Sequence, residues 1–273
     1  MVAMAFTHAD IPSQEGRTAL VTGSNAGLGL AIATALAAKG ARVLMACRNQ
    51  AKAEAAAVKV RETATGPVEL VPLDLASLAS VAACAEQVRA VTDRLDLLVN
   101  NAGLMAVDEA RTEDGFEMQI GVNHLGHFAL TAHLMPLVLD TPASRVVTMT
   151  SMGHRPGRVV VDDLSWDRRR YQRWPAYFQS KLANLLFALE LHRRLQAAGK
   201  ATASLAAHPG ATRTDLGTEG SSLLNRLTSV GMLLGQPTTW GALPLLRAAT
   251  DPSARSGELY GPALLSHGPP RRE

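Results

Sequence analysis

The chain has 273 residues, 47% of them apolar, with a formal charge of +3 and two cysteines. That length buries a sizeable core without staples; the small charge implies no nucleic-acid surface, and Cys47 and Cys84, each in an apolar stretch, read as core residues of a reducing compartment rather than metal ligands or a disulfide. Residues 1–16 lack the basic start and apolar core of a secretory signal, and no apolar run approaches the roughly 20 residues that span a bilayer, so a cytoplasmic protein without a membrane anchor is expected.

From Arg17 onward, short β-branched or apolar runs alternate with alanine- and leucine-rich stretches, the pattern of βαβ units. Strands are predicted at Thr18–Val21, Arg42–Cys47, Val68–Pro72, Asp96–Asn100, Arg145–Thr150 and Thr202–Ala207. Helices are predicted near Leu28–Ala38, Gln50–Thr63, Leu78–Val91, Gly115–Leu139 and Tyr177–Ala198, with a last helix near Thr238–Thr250 and a short strand around Glu258–Tyr260. Right-handed crossovers then place helices on both faces of one doubly wound parallel sheet, an α/β fold. No repeat or linker divides the chain, so residues 1–273 read as one domain with an N-terminal extension over 1–16. Segments 153–176 and 211–237 break the alternation and follow strand C-termini, the edge where such sheets bind ligands, and are expected on the substrate side.

The turn Thr22-Gly23-Ser24-Asn25-Ala26-Gly27-Leu28-Gly29 follows the first strand and opens the first helix. Gly23 suits a tight turn, Gly27 a close approach of backbone to a pyrophosphate, and Gly29 the packing of helix on strand, while free N–H groups at the helix start, about Ser24, Asn25 and Leu28, face the phosphates. At the end of the second strand, where an NAD enzyme would place a carboxylate for the ribose 2′-hydroxyl, stand Cys47, Arg48 and Asn49. A guanidinium there can fork onto a 2′-phosphate, so NADP(H) is favoured over NAD(H). Asp74, in Leu73-Asp74-Leu75, could accept from an adenine amino group or could cap the helix entered at Ser77. Asn100-Asn101-Ala102-Gly103 falls on the same edge, as a ligand-facing segment or simply a well-made turn.

Tyr177 and Lys181 are four residues apart, so on a helix they share a face. An ammonium beside a phenol stabilises the phenolate and moves its ionisation toward the working range. Ser151, after the fifth strand, could hold a substrate oxygen. Asn123, in a helical stretch that does not favour asparagine, either bonds buried backbone or kinks the helix and holds a water behind Lys181. Tyr-x-x-x-Lys alone is common by chance; its weight comes from these companions.

The glycine turn, Leu73–Leu75, Asn100–Gly103, Asn123, Ser151, Tyr177-x-x-x-Lys181 and Pro209-Gly210-x-x-x-Thr214 resemble, in order and spacing, the short-chain dehydrogenase/reductase family over Arg17 to Tyr260. The resemblance implies a Rossmann-type sheet of about seven parallel strands. It further implies a tetrad in which Tyr177 exchanges the proton, Ser151 polarises the carbonyl, Lys181 tunes the phenol and holds the nicotinamide ribose, and Asn123 anchors a relay water. By the same resemblance Asp74 and Leu75 meet adenine, Asn101, Ala102 and Gly103 its ribose, and Pro209, Gly210, Thr212 and Thr214 the carboxamide end of nicotinamide.

Ala46-Cys47-Arg48-Asn49, Asn123-His124-Leu125-Gly126-His127-Phe128 and Tyr177-Phe178-Gln179-Ser180-Lys181-Leu182-Ala183-Asn184 look like the branch of retinol dehydrogenases, the WW-domain oxidoreductase and protochlorophyllide reductase. The expected activity is NADP(H)-dependent interconversion of a carbonyl and an alcohol on a small to medium, apolar substrate. Relatives pair the helices Gly115–Leu139 and Tyr177–Ala198 into homodimers or homotetramers, which is the expectation here. Two rivals are weaker. A sugar-nucleotide epimerase would resemble Gly-x-x-Gly-x-x-Gly, whereas Gly23, Gly27 and Gly29 stand four and two apart. A cofactor-binding regulator without catalysis is disfavoured by the intact tetrad. His124, His127 and His208 lie on separate elements without a carboxylate cluster, so no metal is expected.

Overall fold

The computed structural model describes residues 6–212, 235–264 and 266–273. Seven parallel strands, β1 (Thr18–Thr22), β2 (Arg42–Cys47), β3 (Val68–Pro72), β4 (Leu97–Asn100), β5 (Arg145–Met149), β6 (Ala203–Ala207) and β7 (Leu259–Pro262), lie in the order β3-β2-β1-β4-β5-β6-β7. An eighth, β8 (Pro270–Arg272), pairs antiparallel with β7. Three residues opening on proline carry no alternation that a sequence reading could detect, and proline is tolerated because it starts an edge strand.

Alternate residues of the central strands feed two cores, which is why these strands read as unbroken apolar runs. Val21, Val43, Met45, Leu97 and Val99 pack on one face against Ile32 and Leu36 of α1 (Gly27–Ala38), Ala53 and Val60 of α2 (Gln50–Arg61), and Leu245 and Leu246 of α8 (Leu243–Thr250). Leu20, Leu44, Leu98 and Val146 pack on the other against Val81 and Val88 of α3 (Leu78–Val91) and Leu130 and Leu134 of α5 (Gly126–Asp140). Cys47 and Cys84 are buried free thiols in these cores.

Three predicted helices differ in detail. The helix expected from Gly115 begins at Met118, because Gly115 sits in a turn with φ 85° and the Glu117 carboxylate then caps the helix by accepting from the Gln119 and Ile120 N–H groups. This α4 (Met118–Ile120) enters α5 through a π-helical turn, Gly121–Leu125. The helix expected from Tyr177 starts a turn earlier, as α6 (Arg173–Ala197), since Pro175 falls in the first turn, where no N–H is required. The last helix divides into α7 (Thr238–Gly241) and α8, with Pro244 in the first turn of α8.

Candidate active site

β1 and β4 are neighbours at the point where strand order reverses, and their C-terminal ends open a crevice. Thr22 passes into Gly23 there, and Asn100 into Asn101. A Cβ on Gly29 would lie 2.3 Å from the Gly23 carbonyl oxygen and 2.5 Å from Asn101 Nδ2, so only glycine lets α1 begin this close to both strands. The N-cap of α1, Ala26, offers no side-chain cap, and its first turn holds no acidic residue. Its leading N–H groups are left for an anion.

The crevice is a cleft of about 360 Å³. Of the residues expected to meet a cofactor, Gly23, Asn25, Gly27, Leu28, Gly29, Arg48, Asn49, Asp74, Leu75, Asn101, Ala102 and Gly103 line it. Ser24 does not: it is fully buried, with Oγ 3.4 Å from Cys47 Sγ, because the turn rotates its side chain toward the core. Lys52, one helical turn beyond Arg48, lines the cleft and was not anticipated; the Arg48-x-x-x-Lys52 spacing at a helix start is the signal that could have found it. Arg48 is exposed and makes no hydrogen bond or ion pair to a described residue. Asn49 caps α2, its Oδ1 accepting from Lys52 N at 2.9 Å.

The next two segments also end on this edge, and Asp74 is not the cap of the helix that follows it. Asp74 Oδ1 accepts from the Ala76 N–H at 2.9 Å in a tight turn, while α3 is capped by Ser77. Asn101 donates from Nδ2 to the Thr22 carbonyl at 2.7 Å, and its Oδ1 is buried without a partner. A cleft with uncapped helix N–H groups, an orphaned amide oxygen and two free-standing cations fits a dinucleotide phosphate ligand.

At the far end of the cleft the four predicted catalytic residues come together. Asn123 Oδ1 and Lys181 Nζ crowd Gly103, on which a Cβ would lie 3.0 Å and 3.2 Å from them. Lys181 Nζ also stands 5.7 Å from the centre of the Tyr177 ring. Tyr177 is buried, and burial pushes its phenol up to about 12 against the lowering effect of a hydrogen bond with Ser151. The lowering expected from the lysine is not seen: burial sets the direction for Tyr177, and burial also brings the Lys181 ammonium down to about 8. Ser151 Oγ also accepts from the Gly153 N–H at 3.1 Å, which fixes the side chain at the end of β5.

Backbone ties hold α6 to this edge. Thr150 donates to the Lys181 carbonyl at 2.7 Å, and Asn184 Nδ2 to the Met149 carbonyl at 2.9 Å. The Asn123 amide is fully engaged: Oδ1 accepts from Leu104 N at 2.7 Å, and Nδ2 donates to the Leu104 carbonyl and to Ser180 Oγ. Neither amide hydrogen is left for a water, so the side chain acts as a brace between the loop after β4 and α6.

Pro209, Gly210 and Thr212 follow β6 on the same edge but do not line the cleft; Thr212 Oγ1 and Gln236 Nε2 both donate to the Pro209 carbonyl. Thr214 and the apolar stretch 223–234 lie outside the described residues. The two tryptophans of segment 153–176 part ways. Trp166 is buried beneath the Arg169 guanidinium, 3.6 Å from its ring centre, whereas Trp174 stands edge-on to Tyr177 at 6.2 Å and tilted against Phe178 at 5.8 Å. His124, His127 and His208 point to different partners: Asn184, Thr22 with the Asn123 carbonyl, and Glu273.

Residues 17–222 match the short chain dehydrogenase family. Human retinol dehydrogenase 13 is 46% identical over 203 residues, which are 74% of this chain and 61% of the human protein's length. A crystal structure of an uncharacterized protein from Mycobacterium paratuberculosis superposes with a TM-score of 0.83 at 45% identity, covering 99% of this chain and 89% of that one. A short chain dehydrogenase from Escherichia coli CFT073, solved in complex with NADPH, superposes with a TM-score of 0.71 at 25% identity, covering 92% and 98%.

Proposed function

The chain belongs to the short chain dehydrogenase family, and on that footing we propose that it is an NADP(H)-dependent oxidoreductase interconverting a carbonyl and an alcohol, with Tyr177 as the acid and base. The observation that carries this reading is a chain of contacts running from the end of the glycine-turn cleft: Lys181 Nζ beside Gly103, the buried Tyr177 ring 5.7 Å from that Nζ, and Ser151 in hydrogen-bond contact with the Tyr177 hydroxyl. The nicotinamide, when bound, supplies or takes the hydride. The turn Gly23–Gly29 and the N-terminus of α1 would hold the pyrophosphate, Arg48 and Lys52 the 2′-phosphate, and Asp74 with Leu75 the adenine.

In the reducing direction Tyr177 Oη delivers the proton to the oxygen of the former carbonyl, and Ser151 Oγ orients that oxygen. A phenol held up near 12 is fully protonated at neutral pH, the state this step needs. Lys181 lies within reach of the cleft and of Tyr177, placed to hold the ribose and to steady negative charge left on the phenol after transfer. Asn123 keeps Leu104 and Ser180 in register, and Ser180 Oγ in turn donates to the Tyr177 carbonyl at 2.8 Å.

Similarity to a retinol dehydrogenase, with Trp174 and Phe178 forming an aromatic wall beside Tyr177, favours an apolar alcohol or aldehyde as substrate. The same reading pairs two copies across α5 and α6, where Phe128, Leu186 and Leu189 are exposed. A screen of aldehydes, ketones and secondary alcohols with NADPH, NADP⁺ and NADH tests the proposal. Turnover with NADPH or NADP⁺ well above that with NADH is expected; cofactor binding without turnover across the panel would refute it in favour of a regulatory role.

A further inference from the structure

His127 does not line the cleft, yet its buried ring joins the two structures on which the site rests. Nδ1 is 3.0 Å from the Asn123 carbonyl oxygen, within the π-turn, and Nε2 is 2.8 Å from Thr22 Oγ1, the last side chain of β1. A carbonyl only accepts, so Nδ1 carries the proton, and the bare Nε2 takes the hydrogen of the Thr22 hydroxyl. With its hydrogen committed, Thr22 Oγ1 turns its lone pairs to the N–H groups of Asn101 and Ala102, at 2.9 and 3.0 Å. The alternative acceptor for that hydrogen, the Val99 carbonyl, is 3.4 Å away.

We infer that His127 is a positioning residue that sets cofactor affinity through Thr22 and turnover through Asn123, using opposite ends of one neutral imidazole. This rests on the reading of the cleft as a dinucleotide site and of Tyr177 as the acid. At the Nε2 end, the Thr22 hydroxyl fixes Asn101 and Ala102, which line the cleft. At the Nδ1 end, the Asn123 carbonyl is held in the turn whose side chain braces Leu104 and Ser180, and Ser180 bonds the Tyr177 backbone. Only a ring that donates at one end and accepts at the other satisfies both partners; an imidazolium would present two donors and reverse the Thr22 hydroxyl. Burial holds the ring neutral, its ionisation pushed down to about 3, with Lys181 and His124 acting in the same direction.

Two substitutions separate the ends. His127→Asn keeps an N–H where Nδ1 lies and loses the reach to Thr22; His127→Gln keeps an acceptor where Nε2 lies and loses the donor to Asn123. NADPH dissociation constants come from protein fluorescence, and kcat at saturating NADPH from a carbonyl the wild type reduces. Leaving a buried partner unpaired has a cost on the scale of one to two orders of magnitude in an equilibrium. His127→Asn should therefore weaken NADPH at least fivefold with kcat within threefold of wild type, and His127→Gln should lower kcat at least fivefold with NADPH affinity within threefold.

Equal changes in both quantities for both variants, or a fall in melting temperature alone, would overturn the inference and leave His127 a packing residue. Wild-type protein that neither binds NADPH nor reduces any carbonyl would instead overturn the site reading, and this inference with it. Should the variants not fold, ¹⁵N spectra of the wild-type imidazole decide the matter. A neutral ring protonated on Nδ1 and unchanged from pH 8 to pH 5 is expected; the other tautomer, or titration in that range, would contradict the arrangement.

Discussion

At the scale of single residues, charge decides two expectations. Arg48 and Lys52 stand one turn apart on the cleft rim, where a 2′-phosphate would lie. Arg48→Ala should weaken NADPH by about 1.5–3 kcal/mol, the range of a charge-assisted contact, and leave NADH nearly unchanged; titration of both cofactors by fluorescence checks this, and equal losses would remove Arg48 from the site. Lys181 carries an ammonium that burial lowers from 10.5 to about 8. The unfolded chain then binds more protons than the folded one between about pH 8 and pH 10.5, so this group makes stability rise with pH through that window, and below it the folded state bears the whole penalty. Lys181→Met, of similar length and uncharged, should stabilise the cofactor-free protein at pH 7 by about 1–3 kcal/mol, with the advantage shrinking toward pH 10 in urea melts. Arg48 was legible because the absence of a carboxylate after β2 is a property of the sequence. The burial of Lys181 and the inward turn of Ser24 were not, since both depend on what packs over them.

Among the elements, caps and turns explain where sequence reading succeeded and where it drifted. The strands were readable because residues on both faces are buried, leaving runs such as Val43-Leu44-Met45-Ala46 without interruption. The π-turn was visible only as an asparagine out of place in a helix; its consequence, an Asn123 amide spent on Leu104 and Ser180, required the fold. The start of α6 lies a turn before the predicted Tyr177, because Pro175 falls in the first turn, where its missing N–H is not required. Asn49, expected against the cofactor, caps α2 as well. Asn49→Ala should therefore cost about 1 kcal/mol in global stability by denaturant titration, with Asn49→Asp near neutral. An unchanged midpoint for the alanine variant would show that the cap is not used.

For the whole molecule, the sheet brings Gly23, Asn101, Ser151 and Lys181, distant in sequence, to one edge, and their order along the chain is what made the site recognisable before any geometry was known. The opposite consequence of the fold is an apolar flank where Phe128 is 52% and Leu186 48% exposed, close to His124 and Phe187 in a T-shaped ring cluster. A second copy covering this flank predicts a dimer or tetramer by sedimentation at micromolar concentration, and Phe128→Glu should shift it toward monomer; a wild type that sediments only as monomer would contradict the pairing. The central claim is tested most directly by single-turnover hydride transfer in wild type and Tyr177→Phe, on a carbonyl the wild type reduces, with NADPH affinity measured in parallel. The phenyl ring keeps the packing against Trp174 and Phe178 and removes only the hydroxyl, so NADPH affinity and melting temperature should be retained while the rate falls by about 10²–10⁴-fold or more. A variant retaining a tenth or more of the wild-type rate would show that Tyr177 is not the proton donor.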